Sequence, residues 1–79
     1  METPSILEFM AEFYGRIKAR KYDWEDESSQ MQLLVDYARI SASIYKLREE
    51  INREDRQKLL KLFQDEILTQ YPDCDFFLT

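Results

Sequence analysis

"LLVDYARISASIYKLREEI", residues 33 to 51, is the stretch on which the fold turns. Leu33, Tyr37, Ile40, Ile44, Leu47 and Ile51 recur at spacings of 4, 3, 4, 3 and 4. That rhythm puts all six on one face of an α-helix, as a heptad seam that packs on a core or on a second copy of the chain. A further stripe, Trp24, Met31, Ala38 and Tyr45, is spaced by sevens. Ala38, Ser41, Ala42 and Ser43 add short side chains, over which another helix can pass closely.

Upstream, "KYDWEDESS" (residues 21–29) sets the only tryptophan among four carboxylates. Asp23 followed three residues later by Asp26 resembles a capping box, and Glu25, Asp26 and Glu27 would occupy a first turn, where acids favour the positive end of the helix dipole. The spacing therefore predicts a middle helix over 24–51. Downstream, Asn52 with Asp55 repeats the cap pattern and opens a third helix over 53–71. Leu59, Leu60, Phe63, Ile67 and Tyr71 form its inner face, Leu62 and Leu68 flank it, and Pro72 marks its end. The first helix, 4–20, starts with Thr3 as N-cap and Pro4 at the first helical position. Ile6, Phe9, Phe13 and Ile17 make its apolar face, widened by Leu7, Met10 and Tyr14.

Gly15 is the only glycine, and neither glycine nor proline occurs between Arg16 and Tyr71. Such a stretch favours long helices. Gly15 itself weakens the first helix by roughly 1 kcal/mol relative to alanine, which suggests a close crossing with another backbone. The expectation is an all-α three-helix bundle in which helices 2 and 3 form an antiparallel hairpin. Residues 1–79 make one domain with a short apolar tail over 72–79. At about 1.5 Å per residue the middle helix would be about 42 Å long and would overreach its neighbours, so completion by a homodimer is expected.

Chemistry is narrowed by what the chain lacks. Without histidine there is no imidazole base, no Ser-His or Cys-His nucleophile and no His-containing zinc site, and Cys74 alone cannot build a thiolate site or a disulfide. "DWEDE" imitates the alternating acids of a calcium loop, but Ser28 stands where that loop needs glycine and Leu34 where it needs a bidentate glutamate. The pairs Asp73/Asp75 and Asp65/Glu66 read as solvated acids rather than catalysts. No phosphate-cradling glycine loop occurs. No metal, no cofactor and no catalytic residue is expected.

Sixteen acids against eleven bases give a net charge of -5, which disfavours direct binding of nucleic acid. Arg16, Lys18, Arg20 and Lys21 form a basic patch, but the acids at 23–27 cancel it, and cations near a helix C-terminus suit the dipole. No run approaches the ~18 apolar residues of a membrane span, and Met1-Glu2 opens no basic leader. A soluble, cytoplasmic protein is expected. Its function reads as a small non-catalytic regulator or inhibitor that occupies a surface of a larger protein partner. The alternative is an acidic decoy, of the kind phages or plasmids encode, that mimics nucleic acid and blocks a nucleic-acid-binding protein. The residues expected to bind the partner are Tyr22, Trp24 and Asp26, together with Phe76 and Phe77 of the tail. An aromatic anchor edged by charge supplies affinity and selectivity together.

Overall fold

The structure, a computed structural model, describes residues 3–74, and residues 3–5 by their backbone alone. Three helices run in sequence, α1 (Thr3–Lys18), α2 (Glu27–Lys46) and α3 (Arg53–Gln70), and each packs on the other two. No strand occurs among the described residues. The fold is the three-helix bundle that the apolar spacings predict.

Phe13 and Ile17 of α1, Leu33, Ile40 and Ile44 of α2, and Phe63 and Ile67 of α3 close the core. Each such side chain contributes roughly 1.5–3 kcal/mol by leaving water. Phe13 and Phe63 stack with centroids 5.7 Å apart, and the edge of Tyr14 meets Phe63 at 5.8 Å. Tyr37 on α2 accepts a hydrogen bond from Gln64 Nε2 at 2.7 Å, and Ile44 and Leu60 line one groove. That register makes α2 and α3 an antiparallel hairpin.

The middle helix is shorter than the spacing predicts, at 20 residues rather than 24–51. Its N-cap is Asp26, whose side chain accepts from the Ser28 N–H, and not Asp23. Asp23 instead closes its own small turn, accepting from the Glu25 N–H at 3.1 Å. Two acids in this stretch can cap, and the choice between them is tertiary: Trp24 has to leave the helix to lie against Tyr71, at 5.0 Å between centroids. At the other end no glycine or proline stops the helix. It unwinds after Lys46 through tight turns, with Leu47 N–H bonded to Ile44 O and Arg48 N–H to Tyr45 O, both at 3.1 Å. Arg56 of α3 then donates from Nη1 to the carbonyls of Ile51 and Arg48, at 2.7 and 3.2 Å. Asn52 caps α3 by accepting from the Asp55 N–H at 2.9 Å, as the sequence suggests.

With α2 roughly 30 Å long on its rise per residue, it does not overreach its neighbours, and nothing in its length calls for a second copy. Of the heptad seam, Leu33, Ile40 and Ile44 are buried and Tyr37, Leu47 and Ile51 half-buried, so the seam faces the bundle's own core. Gly15 sits at no close crossing: it is exposed, and a Cβ added there would meet nothing within 4 Å. Leu7 and Leu62 point outward.

Candidate partner-binding cleft

At one end of the bundle the chain leaves α1, turns through residues 19–26, enters α2 and meets the end of α3. The turn out of α1 is a Schellman motif, in which Arg20 N–H bonds to Ile17 O at 3.0 Å and Lys21 N–H to Arg16 O at 2.9 Å. The residue between needs a left-handed backbone, and Arg20 supplies it with a φ of 53°. Glycine is usual there, because a side chain at this angle crowds its own backbone at a cost of roughly 1–2 kcal/mol.

Directly after this turn Tyr22 dives into the core and is 6% exposed. Its hydroxyl donates to Asp36 Oδ2 at 2.6 Å, and its backbone N–H donates to the Tyr71 hydroxyl at 3.0 Å. Asp36, on the inner face of α2, is 2% exposed. It also accepts from Gln32 Nε2 at 2.9 Å and from Arg16 Nη1 at 3.4 Å. A buried carboxylate is tolerated only when paired and hydrogen-bonded, and here three donors from α1, the turn and α2 converge on one. Burial, followed by the bond to Asp36, pushes the Tyr22 hydroxyl up to about 12 from the usual 10.0. Among the described residues no buried side-chain polar atom lacks a partner.

Above this network lies an open cleft of ≈ 690 Å³. Trp24 and Tyr71 form its aromatic wall, their rings tilted by 31°. Arg20 and Lys21 stand on one side, and Asp23, Glu25 and Asp73 add carboxylates. Gln30 Nε2 donates to the Trp24 carbonyl, which fixes the turn against the first turn of α2. The Tyr22 ring meets Tyr71 edge-on at 6.4 Å and Phe13 at 6.2 Å, so the wall stands on core residues.

The residues expected to meet a partner divide as follows. Tyr22 and Trp24 line the cleft, Tyr22 from beneath as a buried support and Trp24 as a half-buried wall. Asp26 is exposed and serves as the N-cap of α2, outside the lining. Phe76 and Phe77 lie outside the described residues. Residues 16–21 do not act as one basic patch. Arg16 pairs with Asp36 and with Glu12 at 3.5 Å, and Lys18 lies over the Tyr14 ring at 5.5 Å, leaving Arg20 and Lys21 to the cleft.

Residue type alone does not mark Asp36 as part of the site. Its signal is positional: it falls three residues after Leu33 and four before Ile40, on the arc that faces the core. Among the described residues no group of three His, Cys, Asp or Glu side chains is placed to hold a metal, and no helix is long and apolar enough to cross a membrane. No family model, no curated protein and no solved structure matches this chain.

Proposed function

We propose that the chain is a small non-catalytic regulator or inhibitor of the cytoplasm that binds a larger protein partner through the Trp24–Tyr71 cleft. The observation that carries this reading is the aromatic wall underpinned by the buried hydrogen bonds of Tyr22 and edged by charges of both signs. Binding energy at protein interfaces concentrates on such preorganised aromatic and arginine anchors, while the charged rim sets selectivity. Arg20 adds weight, since it keeps a long cation at the rim in a backbone conformation that opposes stability. A nucleic-acid mimic would need one uninterrupted acidic face, and Arg20 and Lys21 break the acids of this end.

The test is affinity isolation from the native cell with mass spectrometry of the co-purifying proteins, followed by binding measurements on the partner identified. Trp24→Ala should weaken that binding by about tenfold or more, ~1.4 kcal/mol, with circular dichroism still showing the folded helices. Unchanged binding by a folded Trp24→Ala variant would refute the cleft as the partner site.

A further inference from the structure

Away from the cleft, the face of α2 opposite the core carries Met31, Val35, Ala38, Ala42 and Tyr45, again at spacings of 4, 3, 4 and 3. All five are exposed, Met31 at 57%, Val35 at 48% and Tyr45 at 63%. A solvated helix face is ordinarily polar, yet this one bears no charge across four turns. At its Tyr45 end the stripe opens into a pocket of ≈ 260 Å³ between α2 and α3. Ile44 and Leu60 floor the pocket, Ser41, Tyr45 and Gln57 flank it, and Arg53 and Arg56 supply its only charges.

The sign of that pocket is opposite to the sign of the chain. In a protein of net charge -5, its lining holds two arginines and no carboxylate, and Arg48 lies over the neighbouring Tyr45 ring at 4.8 Å. Arg56 has a structural task, since it donates to the backbone carbonyls of Ile51 and Arg48. Arg53 has none: among the described residues its guanidinium makes no hydrogen bond or ion pair. It is also the first residue of α3, where the positive end of the helix dipole disfavours a cation. Two arginines, with no carboxylate among the lining residues, thus border an apolar pocket, which suits a carboxylate carried on an apolar body.

We propose that this surface docks an amphipathic segment of a partner protein, apolar along the side that covers Met31 to Tyr45 and bearing a carboxylate that enters the pocket at Arg53. Short side chains at Ala38 and Ala42 let the segment's backbone come close midway, and Arg53 fixes its register through the carboxylate. This docking is independent of the Trp24 cleft and stands or falls separately from it.

The experiment titrates the ¹⁵N-labelled full chain with a helical peptide that carries leucines at 4-3-4 spacing and one glutamate past the last leucine, and with its glutamine counterpart. The glutamate peptide should shift the amides of Ser41, Tyr45 and Gln57 saturably and bind about tenfold more tightly, ~1.4 kcal/mol. Arg53→Ala should erase that preference while leaving the helices intact, and Val35→Glu should weaken both peptides. Equal binding of the two peptides, a preference that survives Arg53→Ala, or no saturable binding would overturn the proposal. So would shifts confined to Trp24 and Tyr71, which would put the peptide in the cleft. Sedimentation showing a dimer that Val35→Glu dissociates would assign the stripe to a second copy and overturn it as well.

Discussion

The two ends of the bundle are built by different means. At the cleft end, side-chain hydrogen bonds join residues 14, 20 and 49 positions apart, through Tyr22 to Asp36, Arg16 to Asp36 and the Tyr22 N–H to Tyr71. At the opposite end the bonds are local: Asn52 to Asp55 spans three positions, and Arg56 reaches back five and eight. Long-range bonds to a buried carboxylate specify one tertiary arrangement, because a mispacked state would leave a charge unpaired in the core. Local caps specify only where helices stop. The first end can therefore support an aromatic wall from the core, and the second carries the apolar pocket lined by Ile44, Tyr45 and Leu60.

The sharpest way to break this contrast is to remove Asp36. Asp36→Ala strands the buried Tyr22 hydroxyl in the core and should cost about 3 kcal/mol, measured by urea unfolding. A loss below that of a surface substitution would mean the network is ornamental.

Alkaline pH probes the same end without a mutation. Because the Tyr22 hydroxyl is raised to about 12 from 10.0, the folded chain holds that proton more tightly than the unfolded one. Its contribution is whole below pH 10 and is lost as the pH climbs from 10 to 12. Tyr22→Phe should lose ~1–2 kcal/mol at neutral pH and show a shallower decline across that window than the parent. Parallel declines would show that other groups govern alkaline unfolding.

At the far end, Asn52→Ala should cost only about 1 kcal/mol, the value of one helix cap. If denaturation shows it to be as damaging as Asp36→Ala, the two ends are not different in kind. Smallest of all, Gly15→Ala should stabilise the chain by ~0.5–1 kcal/mol, since the added methyl meets open space. A fall in melting temperature would reveal a crossing that the structure does not contain.

The sequence made the helices legible because apolar spacing and the scarcity of glycine and proline act locally. Leu33, Ile40 and Ile44 sit where a heptad seam puts them. What it hid is tertiary. Asp23 and Asp26 are equivalent as caps until Trp24 is drawn toward Tyr71, and residues 47–51 contain no stop signal because Arg56, from another helix, serves the loose carbonyls. Asp36 escaped because residue type suggested solvent while only its position on the helix pointed inward. The left-handed backbone of Arg20 has no local signature either, since the residue that normally announces it is absent. Trp24 and Tyr22 were singled out for their chemistry, and the structure brings both to one cleft with Tyr71, a residue read from spacing as part of the α3 core face.

We propose that the cleft end gives up stability for binding, and Arg20→Gly separates the two. Glycine relieves the φ of 53° and removes the cation from the rim. The melting temperature should rise by about 4–8 °C, the equivalent of ~1 kcal/mol in a domain of this size, while affinity for the isolated partner falls. A variant that is more stable and binds as well as the parent would contradict the claim.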